Sequence, residues 1–180
     1  IPIVIKILKT FDPAIPNDIV VYFGLKLAKE KGCVSVMTGD GGDELFGGYS
    51  YMAELNLNEY IPKIAYNLSF SSNKLSKAIG LEIKQPFLDE EFIDYALKID
   101  CDEKIKKIDG KIYNKWILRK SFEGFLPHYI VWRQKSPLEQ GSGMTLLRDI
   151  LESKITDVEF RTKERDYKIK FRSKEHLYYY

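Results

Sequence analysis

The sequence predicts an α/β fold, with a strand and a ligand-binding loop in its first third and a largely helical layer after them. Three observations carry that expectation. Apolar residues Ile19, Val20, Phe23, Leu27 and Ala28 recur at helical spacing; a short β-branched run, Cys33 to Thr38, follows; and a glycine-rich acidic loop begins where that run ends. Helix, short strand and glycine loop in that order are an α/β signature. A mostly apolar run of this length reads as a buried parallel strand.

The elements follow in order. Ile1 to Lys9 is apolar but too short to decide between helix and strand. Phe11 to Pro16 is expected as a loop, because its two prolines restrict themselves and the residues before them. Asn17 or Asp18 is expected to cap a helix to about Lys31, with Gly32 as its C-terminal stop. Beyond Tyr49 the pattern predicts helices over 50–58, 61–68, 72–79, 89–99 and 110–122, the last closed by Gly124 and Pro127. A polar loop over 133–143 and a helix from about Ser142 complete the chain, and the mixed charges of 152–174 read as a solvated surface.

Composition narrows the function classes. The 180 residues suit one domain with a core of its own, and 44% hydrophobic with 30% charged residues is an ordinary globular balance. A net charge of +2 gives no field that argues for nucleic acid or an anionic membrane. No apolar run reaches the length of a membrane span, and the first nine residues lack a signal-peptide cleavage pattern. Cys33 and Cys101 form neither a CxxC pair nor a disulfide framework, which points to a reducing cytoplasm. With only His128 and His176 available, a zinc site or a histidine-based triad is not expected. The first residue is Ile rather than Met, and both ends are read as truncations.

The strongest chemical signal is Thr38-Gly39-Asp40-Gly41-Gly42-Asp43-Glu44-Leu45-Phe46-Gly47-Gly48-Tyr49. It lies at the carboxyl end of the predicted strand, where open α/β sheets bind ligands. Gly39, Gly41 and Gly42 let the backbone approach a ligand and turn N–H groups toward phosphate oxygens. Asp40, Asp43 and Glu44 would repel one another if packed together, and a magnesium ion shared with substrate phosphates would relieve that repulsion. A surface turn accounts for the glycines alone; it does not account for the acids and the preceding strand as well.

Two further segments are weaker. Lys135, in Trp132-Arg133-Gln134-Lys135 ahead of Gly141-Ser142-Gly143, could reach a phosphate as a mobile charge, although loop lysines are common. Gly80 to Asp89 reads equally well as packing plus a helix cap at Asp89.

Together these segments resemble the asparagine synthetase family. Val36 to Tyr49 is similar to its Thr-Gly-acid-Gly-small-Asp-Glu…Phe-x-Gly-Tyr motif, and Leu81-Glu82 to Pro86-Phe87-Leu88-Asp89 to its Leu-Glu-x-Arg-x-Pro-Phe-Leu-Asp segment. Lys115 to Arg119, Leu126-Pro127 and Trp132 to Lys135 resemble its Lys-x-x-Leu-Arg, Leu-Pro and Arg-x-Lys series, and Lys174-Glu175 with the terminal tyrosines its last motif. The order of the segments is also the family's.

The resemblance implies a Rossmann-like parallel sheet of the PP-loop (adenine nucleotide alpha hydrolase-like) type, with residues 1–180 forming an incomplete synthetase domain. It implies an ATP- and Mg2+-dependent ligase. The aspartate side chain is adenylated with release of pyrophosphate, and ammonia, free or derived from glutamine, displaces AMP to give asparagine. Thr38 and Gly39 then meet the nucleotide with Gly41 and Gly42. Asp40 lies near the acyl-adenylate, Asp43 serves magnesium and pyrophosphate, and Lys135 neutralises the leaving group. The family's Ser-Gly-Gly-x-Asp-Ser pyrophosphate loop is not among the 180 residues and is expected upstream, and a glutaminase domain or subunit is expected as partner. A homo-oligomer is also an expectation. Lys84 stands where the family has Arg, and the stretch from Tyr49 to Leu81 is short. Two alternatives stay open: a β-lactam synthetase-like enzyme that activates another carboxylate, and a non-catalytic interaction module. An acid at position 40 favours ammonia as the nucleophile over the first of these.

Overall fold

A computed structural model of the chain describes residues 1–10 and 14–180; part of the expected loop, Phe11 to Pro13, lies outside the described residues. The first segment resolves as helix α1 (Pro2–Leu8), with proline in its first turn and Val4 and Leu8 buried one turn apart. Helix α2 spans Ile15–Glu30. It starts earlier than the expected cap because Pro16 occupies the first turn, where a missing N–H costs nothing. Asp18 is therefore a first-turn acid inside the helix, favoured by the positive end of the helix dipole. Gly32, at φ +83°, ends the helix as expected.

Strand β1 (Ser35–Met37) pairs with β2 (Glu82–Lys84). The backbone bonds Glu82 N to Val34 O and Thr38 N to Lys84 O advance the same way along both strands, as in a parallel pair. The expectation that the whole run is buried is corrected in part: Val34, just before β1, is 82% and Met37 69% exposed, whereas Val36 is half-buried against the first core. Side chains of a strand are buried only where another layer covers that face, so an apolar sequence alone does not bury β1.

Helix α3 (Gly42–Phe46) forms within the glycine-rich loop. The two helices expected over 50–68 become a 3-10 turn at Ser50–Glu54, α4 (Leu57–Ile64) and a second 3-10 turn at Ala65–Asn67. The chain is extended at Leu55 and Asn56, and the new helix buries Leu57 and Ile61 one turn apart. Helix α5 (Ser71–Ala78) matches its prediction closely. Helix α6 (Glu90–Lys98) begins at Asp89 as predicted, whose Oδ1 accepts from the amides of Glu91 at 3.1 Å and Phe92 at 3.2 Å.

After α7 (Cys101–Lys104) the predicted long helix over 110–122 is corrected. Its first half is strand β4 (Lys111–Asn114), which pairs antiparallel with β3 (Ile105–Ile108) in a hairpin, and only α8 (Trp116–Ser121) is helical. Asp109 and Gly110 both take positive φ, 49° and 75°, in the two-residue turn that a right-twisted hairpin requires. The rest is helical: α9 (His128–Val131), α10 (Leu138–Gly141), α11 (Leu146–Ser153), α12 (Asp157–Tyr167) and α13 (Lys174–Tyr179). Helix α12 has no buried residue, as its charges predict, and starts with a capping box between Thr156 and Glu159.

The chain divides into two compact units, each with its own apolar core. One comprises Ile1–Val36, Ser71–Glu82 and Ser136–Tyr180 and packs α1, α2, α5 and α11 around Val4, Ile15, Ile19, Leu75 and Leu151. The other comprises Met37–Phe70 and Ile83–Lys135 and packs α3, α4 and α6 around Leu45, Phe46, Ile61 and Ile93. Rings of Phe46 and Phe92 each meet Phe87 edge-on and one another at a tilt in that second core, with centroids 5.3–6.1 Å apart. The residues singled out from the sequence, Thr38 to Asp43 and Lys135, all lie in the second unit.

Candidate active site

The site begins where β1 ends. Thr38 Oγ1 donates to Asp40 Oδ2 at 2.7 Å, and Gln85 Nε2, just beyond β2, donates to the same oxygen at 2.8 Å. The paired strands thus bring both donors to Asp40. Gly41 takes φ +90°, and a Cβ there would come within 2.5 Å of Leu88 Cδ2. A Cβ on Gly42 would press on the Phe87 ring at 3.2 Å. These two glycines therefore let the loop pack on the Pro86–Leu88 turn, and the Gly42 amide is used inside the loop, donating to Gly39 O at 3.2 Å. Gly39 has no heavy atom within 4 Å of where a Cβ would stand, so the backbone is bare on that side.

Asp43, in the first turn of α3, faces two lysines. Lys115 Nζ lies 2.9 Å from its Oδ1 and Lys135 Nζ lies 3.2 Å from its Oδ2. Oδ1 is buried and has no aligned hydrogen-bond donor, so the Lys115 contact acts as an ion pair. Burial pushes the Asp43 carboxyl upward, but Lys115 and then Lys135 outweigh it and hold the carboxyl below its ordinary value. Gly48 is obligatory beside this group, because a Cβ there would stand 1.8 Å from Asp43 Oδ1. Glu44 turns away and accepts from Tyr49 Oη at 2.6 Å. Burial, then Glu44, raises the Tyr49 hydroxyl far above its ordinary value and keeps it a neutral donor. The Lys135 ammonium also sits 5.8 Å from the Tyr49 ring centroid.

The three acids are thus not packed against one another. Each has its own partners, and among the described residues no group of three or more His, Cys, Asp or Glu is placed to hold a metal. The repulsion expected from the sequence is relieved by lysines and by divergence. A metal cage built from these carboxylates does not fit. A magnesium ion shared between Asp43 and phosphate oxygens would have to use Oδ2, in place of Lys135, because Oδ1 is buried against Lys115.

Two predicted residues distant in sequence, Asp43 and Lys135, are brought into contact; Thr38 and Asp40 are joined to each other. Sequence reasoning missed Lys115, Gln85, Asn114 and Arg119 as site residues. Lys115 sits at φ 54°, ψ 38°, the left-handed junction between β4 and α8, a conformation that non-glycine residues adopt at a cost. Asn114 Nδ2 donates to Gly47 O at 2.6 Å and Tyr49 O at 3.2 Å, fastening that junction to the acidic loop. The Asp-Gly turn four residues upstream of Asn114 was the available signal that a hairpin, not a helix, delivers Lys115.

An acidic glycine loop at a strand's carboxyl end, with two lysines converging on its Asp43, defines the candidate site of an α/β chain. The asparagine synthase family model matches residues 1–71 and 63–173. A probable glutamine-hydrolyzing asparagine synthetase of Dictyostelium discoideum is 35% identical over 184 residues, covering 91% of this chain and 33% of that protein. One of Schizosaccharomyces pombe is 36% identical over 185 residues with the same coverage, and the Saccharomyces cerevisiae glutamine-hydrolyzing asparagine synthetase 1 is 37% identical over 153 residues, 73% of this chain and 26% of that one. The chain belongs to the asparagine synthase family, and it spans about a third of the length of the first two relatives.

Proposed function

We propose that this chain forms part of an ATP-dependent ligase that converts the side-chain carboxylate of aspartate to the amide of asparagine. The observation that carries this reading is the Lys115–Asp43–Lys135 arrangement behind β1, in a chain of this family. An aspartate carboxylate oxygen attacks the α-phosphorus of ATP, the bond to the β-phosphate oxygen breaks, and pyrophosphate leaves. In this reading Lys135 and Lys115 neutralise the charge that builds on that leaving group, which is where fixed positive charge lowers a barrier most. Asp43 holds both ammoniums convergent, and it is the residue that would hold magnesium, which would supply Lewis-acid stabilisation of the phosphate charge. Thr38 and the bare backbone of Gly39 receive the nucleotide, with Gly41 and Gly42 shaping the turn. Asp40, held by Thr38 and Gln85, lies beside the acyl-adenylate. There it accepts a proton from the nitrogen that attacks the carbonyl carbon as AMP departs.

The fold reading that goes with this function is a PP-loop parallel sheet, of which β1 and β2 are two strands. The relatives' names include glutamine hydrolysis, so the nitrogen is assigned to glutamine through a glutaminase domain or subunit. A cytoplasmic location goes with two free cysteines; no helix among the described residues is long and apolar enough to cross a membrane.

The test is exchange of labelled pyrophosphate into ATP by the full-length protein. Exchange is expected with aspartate and not with other carboxylic acids. Lys135→Ala should lower it on the order of a hundredfold, with Lys135→Arg recovering part, since a planar fork is a poor substitute for a point charge. Exchange without any acid, or full rates in Lys135→Ala, would overturn the proposal.

A further inference from the structure

Lys135 lies in a stretch, residues 133–137, that has no regular secondary structure, yet its ammonium is placed on Asp43. Arg119 in α8 supplies the anchorage. Its Nε donates to Asn114 O at 2.8 Å, and its Nη1 donates to Val131 O at 2.6 Å and to Arg133 O at 2.9 Å. Asn114 in turn donates from its side chain to Gly47 O and Tyr49 O at the tail of the acidic loop. One guanidinium and one amide therefore fasten together three pieces of chain: the loop bearing Asp43, the junction bearing Lys115, and the irregular segment bearing Lys135. Backbone carbonyls in an irregular segment have no ladder to satisfy them, and a fork with five donors can serve several at fixed angles.

We propose that Arg119 is a positioning residue that sets where the Lys135 ammonium stands relative to Asp43 and to the phosphates that Asp43 and the lysines receive. The phosphate part rests on the ligase reading above; the placement of Lys135 on Asp43 does not. Arg119 hydrogen-bonds to backbone carbonyls, so its removal leaves Asp43, Lys115 and Lys135 present and loosens the last of them, while also withdrawing a positive charge that acts on Asp43. Arg119→Lys retains charge, and one ammonium nitrogen can serve the Val131 and Arg133 carbonyls as Nη1 does, but it cannot also reach Asn114 O as Nε does, so it should restore only part of the effect.

The test is amine acylation of the full-length protein, read by peptide mass spectrometry as a function of pH. Acylation needs the neutral amine, so the rate at Lys135 reports both its access and its hold on Asp43. Lys63, a surface lysine, serves as the internal reference. In Arg119→Gln the rate at Lys135 relative to Lys63 should rise roughly fivefold, the factor that corresponds to losing one net hydrogen bond, and Arg119→Lys should lie between. Asp43→Asn should raise Lys115 and Lys135 together, whereas Arg119→Gln should affect Lys135 most. In pyrophosphate exchange, Arg119→Gln should lower kcat and weaken pyrophosphate binding while leaving KM for the acid unchanged. If labelling shifts but the wild-type protein exchanges no pyrophosphate, the positioning role stands and the ligase reading falls. If exchange proceeds and Lys135 in Arg119→Gln labels at the wild-type rate, the positioning role is overturned. Should Arg119→Gln not fold, an unchanged Lys135 rate in Arg119→Lys overturns it equally.

Discussion

Asp43 has an ionised carboxylate, 21% exposed at its side chain, whose negative charge is shared between two lysines. Its carboxyl ionises below the ordinary aspartate value of about 3.9. A depressed folded value contributes stability that is fully present above the unfolded value and is lost as pH falls through the folded one. Asp43→Asn should therefore remove part of the acid limb below about pH 4, and at neutral pH cost on the order of 1–3 kcal/mol, because two ammoniums lose their partner. Urea unfolding across the acid range measures both. An acid limb identical to wild type would mean that the lysines find other anions. The sequence placed Asp43 in a ligand loop through its glycines and acids. It did not indicate that Asp43 faces protein cations, because Lys115 and Lys135 reach it from later parts of the chain.

At the level of elements, the hairpin β3–β4 is the clearest departure from the periodic reading. The pattern predicts a helix over 110–122, yet Asp109-Gly110 reverses the chain, and Ile105 pairs with Asn114. Local preference for helix lost to cross-strand pairing and to a turn for which Asp-Gly is suited. Gly110 has open space around its missing Cβ, so a substitution there meets backbone strain alone. Gly110→Ala should lower stability by about 1–2 kcal/mol, the cost of the left-handed region for an L-residue, while Asp109→Asn should be near neutral. Denaturant midpoints of the two variants check this. Helix α6 shows the opposite case. Its Asp89 cap and apolar spacing were legible because both signals lie within a few residues.

The whole chain carries two cores of different composition. Leu75 is fully buried in the core of the unit that holds both termini, and Ile61 is fully buried in the core of the unit that holds the candidate site. Leu75→Ala and Ile61→Ala should each cost about 2–5 kcal/mol through lost burial and the cavity left behind. Hydrogen exchange is expected to show the loss of protection concentrated in the unit that holds the substitution. Equal loss over all amides in both variants would show that the two cores open as one. Length and composition carry no mark of two cores that interleave along the chain.

What the sequence determined by itself was local and contiguous. Helix and turn signals fixed α5, α6 and the Gly32 stop, and the glycine-acid string with its ordered companion segments identified the family and the loop at the end of β1. Each of these depends on residues near one another in the chain, where spacing and side-chain chemistry are enough. What only the tertiary structure decided was which charges meet. The pairing of Asp43 with Lys115 and Lys135, the shared hold of Thr38 and Gln85 on Asp40, and the anchoring of the Lys135 segment by Arg119 all join residues from separate elements. The exposure of β1 was likewise beyond the sequence, since burial depends on which strands and helices stand beside a strand. Spacing along a chain constrains local geometry strongly, whereas the contacts that set a carboxylate's charge are made only when the core brings distant segments within a few ångströms.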